Sequence, residues 1–260
     1  MGTSEMSFGK TAIFLSVRDK ATRLPGKVMR QICGRRAIEH LIDRLKLAQT
    51  PDFLVMTTSV NPGDDGLQKV ADKNNIFCFR GDEADKLVRY LDAADKYSVE
   101  FCVIVDGDDL FNDPDTIDRI VHEYKNSGAD YIICDNLPLG VTAFGVKTEA
   151  LRKVVSLKAE DDTEVWGGYF TQTGLFQTKM LEPDERFHRP KLRMTLDYQE
   201  DLDFFTALYQ PGKVIPFAEI IEFLDDRPEI ASINQQVQKK YEQGLQKAAP
   251  VRLKTDTHSA

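Results

Sequence analysis

Residues 11–27 read TAIFLSVRDKATRLPGK: a strand-length, almost continuously apolar run, Thr11 to Val17, followed at once by a basic turn. A run apolar at both alternating sets of positions predicts a strand covered on both faces, as in a parallel sheet. The same theme recurs in FLVMTT (53–58), IFCF (76–79), FCVIVD (101–106) and YIIC (131–134). Between these runs, AIEHLIDRLKLA (37–48), DGLQKVADKN (65–74) and ADKLVRYLDAADKY (84–97) carry the helical period. Asp113 and Pro114 open another helix, the first as cap and the second in the first turn. Strand–helix alternation up to residue 134 predicts an α/β fold, a mostly parallel, Rossmann-like sheet flanked by helices. Such sheets bind ligands beyond the carboxyl ends of their strands. Chemistry is therefore expected just after Val17, Thr58, Phe79 and Val105.

The pattern changes after Pro138. VTAFGV (141–146) is strand-like, TEALRKVVSL (148–157) helical, and the stretch around Trp166 irregular. KLRMTL (191–196) is expected as a strand leading into the helix QEDLDFFTALY (199–209). Residues 217–247 read as helical with a break near Pro228. Neither residues 1–9 nor 248–260 show an apolar pattern, so both ends are expected to be disordered. The reading is one domain, 10–247, with a small subsidiary lobe at about 138–189.

The chain has 260 residues, 42% of them hydrophobic and 29% charged, which is globular composition. Lys and Arg number 34 against 42 Asp and Glu, a net charge of −8. An acidic chain lacks the cationic field of a general nucleic-acid binder. No apolar run reaches the roughly 18 residues of a membrane-spanning helix, and the start MGTSEMSFGK lacks the apolar core of a secretory leader. Cys33, Cys78, Cys102 and Cys134 stand far apart and read as reduced core thiols, which makes the cytoplasm the expected location.

Against that acidic background the segment 18–27 places Arg18, Lys20, Arg23 and Lys27 at the ligand-binding edge of the sheet. It reads either as a solvated basic loop or as a turn whose cations and outward N–H groups hold a polyphosphate. It lacks the P-loop pattern. Asp106, Asp108 and Asp109 follow the strand FCVIV. Three carboxylates crowded at one strand end call for a cation, and an all-oxygen set favours Mg²⁺ or Mn²⁺; the alternative is an acidic turn with a helix cap. Asp197, after KLRMTL, is either a second metal-facing carboxylate or a helix cap. Glu200, Asp201 and Asp203 read as first-turn acids. His40 and His122 read as structural or exposed helical residues. His188, Arg189 and Lys191 are cations within reach of an anionic substrate, and Trp166 either lines a pocket or packs.

In this order the segments resemble the sugar-activating cytidylyltransferases of the SpsF-like and CMP-Kdo synthetase group. RDKATRLPGK resembles R-x-x-S-T-R-L-P-G-K, and VMTTSVNPGDD the strand-end segment beneath the nucleobase. CFRGDEADKLVRYLDAADKY resembles F-R-G-x-x-x-D-x-L-x-R-Y. DGDDLFNDPDTID is similar to T-G-D-C-P-L-I-D-P-x-x-I-D, LRMTLDYQEDL to L-R-L-T-V-D-T-P-E-D-L, and IIEFLDDRPEIASIN to the C-terminal helix of those proteins. The chain departs at Ala21, where the signature has serine, at Lys20, at Asp109-Leu110, and at 164–169, EVWGGY in place of E-H-V-T-P-Y.

The resemblance implies transfer of CMP from CTP to a sugar acid or a phosphorylated sugar or polyol, with release of pyrophosphate. It implies Mg²⁺, with Mn²⁺ as a substitute, held by Asp108 and Asp197. Arg18, Arg23 and Lys27 would steady the triphosphate, with Lys20 and Asp106 beside them. Thr57, Thr58 and Arg80 would lie near base or ribose, and a homodimer follows by analogy. Two other readings remain: a glycosyltransferase of the related nucleotide-sugar fold, for which Asp106-Gly107-Asp108 would be the D-x-D metal motif, and a non-catalytic nucleotide-binding protein.

Overall fold

The computed structural model describes residues 9–245 and 251–254, with only the backbone of 244 and 245. In chain order the elements are β1 (Lys10–Ser16), a two-stranded ribbon of β2 (Gln31–Ile32) and β3 (Arg35–Arg36), α1 (Ala37–Leu45), β4 (Phe53–Ser59), α2 (Asp65–Lys73), β5 (Phe77–Gly81), α3 (Lys86–Tyr97) and β6 (Val99–Asp106). They continue as α4 (Pro114–Ser127), β7 (Tyr131–Cys134), β8 (Phe144–Lys147), α5 (Thr148–Leu157), α6 (Gly168–Thr171) and β9 (Thr178–Leu181). Helices α7 (Gln199–Leu208), α8 (Phe217–Asp226), α9 (Pro228–Ala231) and α10 (Gln235–Leu245) follow.

The main sheet has the order β5-β4-β1-β6-β8-β7-β9. β1 lies at its centre, parallel to both β4 and β6. Only β8 runs antiparallel, between β6 and β7. The alternation expected from TAIFLSV is seen directly. Ile13 and Leu15 face a core built with α1, α2, α4, α7 and α8, whereas Ala12 and Phe14 face a second core built with α3, α5 and α6. Asp113 caps α4 by accepting from Thr116 N at 3.1 Å. The break expected at Pro228 separates α8 from α9. The stretch 138–189, read as a subsidiary lobe, is tied into the main sheet through β8 and β9. Among the described residues, no helix is long and apolar enough to cross a membrane.

Two expectations need correction, and one strand, β9, was not expected. KLRMTL is not a strand: it makes a single parallel bridge, Leu139 with Arg193. Its backbone divides between two neighbours, Met194 N donating to Leu139 O (2.6 Å) and Leu196 N to Asp108 O (2.9 Å), so no ladder forms. β9 carried no alternation in sequence because it is a sheet-edge strand with three of its four residues exposed. The C-terminal stretch is not disordered throughout. Val251 and Leu253 pack on the second core, Ala159 N donates to Arg252 O and Lys254 N to Leu157 O. Residues 1–8, 248–250 and 255–260, also covered by the expectation of disorder, and residues 246–247, expected to be helical, lie outside the described residues.

The ends of β1 and β6 meet closely because Gly107 has no side chain. Its N–H donates to Ser16 O at 2.8 Å, and a Cβ there would stand 2.6 Å from Val17 Cβ. Gly107→Ala should therefore cost about 1–3 kcal/mol by overpacking. A lowered urea midpoint with an unchanged denaturant slope is the expected result.

Candidate active site

In register, Ser16 of β1 pairs with Asp106 of β6, so the loops after both strands open into one cleft. Its volume is about 940 Å³. Arg18, Lys20, Arg23 and Lys27 line it from the β1 side, and Asp106 and Asp108 from the β6 side. The basic segment thus lines this cleft, while Lys20 and Arg23 stay exposed to solvent.

Lys27 is presented by a short turn. Gly26 adopts φ 67°, and residues Lys27–Met29 form one turn of 3₁₀ helix pinned by buried Val28. The Lys27 N–H does not face outward, as the basic-turn reading expects; it donates to Leu24 O at 3.1 Å. The group that reaches the cleft is the side chain. Its ammonium donates to both Asp108 Oδ2 and Asp197 Oδ1, the latter at 2.8 Å. Burial opposes the charge on Lys27, but the two carboxylates outweigh it and hold its pKa above the ordinary lysine value. Arg23 approaches the same Asp197 oxygen at 3.8 Å and lies over the rings of Tyr198 and Tyr241.

The crowded acidic turn resolves its charge one carboxylate at a time. Burial works to raise Asp108, but Lys27 overcomes it and keeps the carboxyl below its usual range. Asp106 pairs with Lys86 at 3.3 Å, though burial still raises its pKa. Asp109 is raised far above the usual range by burial and by its two neighbours, Asp108 and Asp106, which favours its neutral form.

Asp197 is not the cap of α7; that position is Tyr198. A buried network aims it instead. Arg193 forks onto Asp201, with Nε to Oδ1 at 2.8 Å and Nη2 to Oδ2 at 2.9 Å, and also donates to Asp197 Oδ2 at 3.2 Å. Asp201 Oδ2 accepts the backbone N–H groups of Asp197 and Tyr198, each at 2.9 Å, and Asn234 donates to Oδ1. Asp201, read from sequence as a first-turn acid, sits in the first turn but is wholly buried and organises the site.

Other sequence-based candidates lie elsewhere. Thr57 and Thr58 are wholly buried inside β4 and do not line the cleft; the Thr57 hydroxyl donates to Leu15 O. Arg80 also stays out, because its guanidinium holds the loop after β4, donating to Ser59 O, Asn61 O and Asp65. His188 and Lys191 are exposed away from the cleft, and Arg189 pairs with Asp225. Trp166 packs among Tyr90, Tyr131, Phe144 and Phe170. His40 is structural, its Nε2 hydrogen-bonded to Ile32 O.

Two cleft residues escaped the sequence reading. Lys86 is almost fully buried, paired with Asp106 and, at 3.0 Å, with Glu164. Glu164 also accepts from Arg18. The available signal was local: Lys86 directly follows the cap Asp85, so a cation stands at the positive end of a helix dipole.

Asp108 and Asp197 are two hard oxygen donors already converging on one cation. They suit a Mg²⁺ ion that takes its remaining ligands from phosphate and water. No group of three or more His, Cys, Asp or Glu among the described residues is arranged to hold a metal alone.

Comparison with known proteins follows the same lines. The profile of the family described as "Cytidylyltransferase" matches residues 12–219. The spore coat polysaccharide biosynthesis protein SpsF of Bacillus subtilis is 29% identical over 228 residues, covering 84% of this chain and 95% of that one. The structure of a cytidylyltransferase from Leptospira borgpetersenii superposes with a TM-score of 0.77 at 25% identity, covering 85% of this chain and 96% of that one. A CMP:2-keto-3-deoxy-manno-octonic acid synthetase structure, complexed with CTP, shares the fold with a TM-score of 0.60 at 12% identity, covering 76% and 98%.

Removing one partner from a buried ion pair leaves the other charge stranded. Asp201→Asn should therefore lower stability by roughly 3–5 kcal/mol, read as a fall in the chemical-denaturation midpoint, while exposed Asp203→Asn changes it little.

Proposed function

The chain belongs to the cytidylyltransferase family, and on that premise we propose that it transfers CMP from CTP to a sugar acid or a phosphorylated sugar or polyol. Pyrophosphate leaves, and the product serves polysaccharide or glycoconjugate synthesis. The observation carrying this reading is the convergence of Lys27, Asp108 and Asp197 at one point, below a turn that brings Arg23 and Lys20 to the same cleft.

An acceptor oxygen attacks the α-phosphorus, and the bond to the bridging oxygen of pyrophosphate breaks. Negative charge grows on the leaving group, so cationic preorganisation is what this chain supplies. Lys27 and Arg23 sit where they can exchange aspartate oxygens for phosphate oxygens. Arg193 and Asp201 keep Asp197 aimed at the cleft throughout. Bound between Asp108 and Asp197, Mg²⁺, or Mn²⁺ in its place, would neutralise phosphate charge as a Lewis acid. A glycosyltransferase D-x-D reading is less well supported, because Asp106 is engaged by Lys86 and only Asp108 faces the Lys27 point.

The direct test crosses four nucleoside triphosphates with a panel of sugar acids and phosphosugars and measures pyrophosphate. CTP should be preferred, and release of a free nucleoside diphosphate from nucleotide-sugars would reject the reading. Lys27→Ala and Asp108→Asn should each lower turnover by on the order of 10²–10³-fold, the usual loss for one charge-stabilising contact, with circular dichroism unchanged. Chelation with EDTA should abolish pyrophosphate release, and added Mg²⁺ should restore it. Full activity in excess chelator would remove the metal from the scheme.

A further inference from the structure

The cleft holds a second charged cluster beside the Lys27 point. Lys86 Nζ lies 3.3 Å from Asp106 Oδ1 and 3.0 Å from Glu164 Oε1, while Arg18 donates to Glu164 Oε2. Glu164 thus offers one carboxylate oxygen to each of two cleft cations. Its anchoring differs from theirs. Lys86 projects from the first turn of α3 with a side chain only 10% exposed, and Arg18 is also tied to Glu83 O. Glu164 belongs to a stretch without helix or strand, and its side chain is 54% exposed.

Charge balance shows what can replace it. Lys86, Arg18, Asp106 and Glu164 together sum to zero. Withdrawing Glu164 to water leaves one positive charge in a buried place, which is costly unless an anion enters. A monoanion with two coplanar oxygens restores both the charge and the two hydrogen bonds. Beside the cluster, Ile133, Phe144 and half-exposed Val165 give the cleft an apolar wall for the body of a small organic molecule.

We propose that Lys86 and Arg18 form a subsite for a carboxylate of the acceptor, and that Glu164 fills this subsite until the acceptor displaces it. This rests on the transferase reading of the same cleft and selects the sugar-acid arm over the phosphosugar arm. Arg18, which the family resemblance assigns to the triphosphate, is on this proposal a binding residue for the acceptor together with Lys86, and Glu164 is a built-in competitor that keeps the subsite neutral until the acceptor enters.

Binding to the full chain, measured by calorimetry without CTP, tests this independently of turnover. The probes are pyruvate, D-glucuronate and N-acetylneuraminate, each beside its methyl ester, and glucose 6-phosphate. At least one acid should bind about tenfold more tightly than its ester, the size of one charged hydrogen bond. Glu164→Gln should tighten that acid severalfold and leave the ester unchanged. Lys86→Met should abolish the preference for acid over ester, and Lys86→Arg should retain part of it, with circular dichroism as the check on folding.

The proposal is overturned if no acid outbinds its ester, if Glu164→Gln weakens the acid or leaves it unchanged, or if glucose 6-phosphate is the ligand that depends on Lys86. The transferase reading fails separately, by absence of pyrophosphate with every acceptor in the screen.

Discussion

The Lys27 ammonium sits between Asp108 and Asp197, residues contributed by segments far apart in the chain. Displacing any one of these groups would strand the buried charge of the others. The ends of β1 and β6, the turn at Gly26 and the segment before α7 must therefore all be placed correctly at once. The parallel pairing of β1 with β6 supplies the first condition, and the left-handed Gly26 supplies the second. The third comes from Arg193 and Asp201, which tie the backbone of Asp197 and Tyr198 to a buried fork.

The cleft is thereby a set of paired charges and not a bare basic surface, which suits a chain of net charge −8. Each main cation has a carboxylate partner: Lys27 with Asp108 and Asp197, Lys86 with Asp106 and Glu164, Lys20 with Glu83. On the proposed reading, a triphosphate would enter by exchanging partners with Lys27 and Lys20, and an acceptor carboxylate with Lys86. The pairing limits the self-repulsion that these neighbouring cations would otherwise produce. The crowding of Asp106, Asp108 and Asp109 is relieved in kind. Two of them meet lysines, and the third is pushed toward its neutral form.

Elements with two covered faces were legible because burial writes itself into residue type. β1, β4, β6 and β7 appear within a residue or two of their apolar runs, and the α4 cap at Asp113 is where Asp-Pro placed it. KLRMTL deceived because its apolar residues are buried without a strand ladder: Met194 and Leu196 are inaccessible, yet their hydrogen bonds go to Leu139 and Asp108 in turn. β9 and residues 251–254 escaped for the opposite reason, since a strand at an exposed edge or a short extended segment needs few apolar side chains.

The α/β class and the placing of a basic and an acidic turn after β1 and β6 were determined by the amino-acid sequence alone, because hydrophobic periodicity is a local property. Tertiary structure decided which charges meet. Lys86 and Glu164 stand 78 positions apart, and Arg80, Thr57 and Thr58 look equally available in a linear string. Only the packing of β4 buried the two threonines, only the loop after it engaged Arg80, and only the approach of residues 158–167 to the start of α3 completed the second cluster. Electrostatic partnership falls off with distance in space and not along the chain, so it cannot be assigned until the fold has closed.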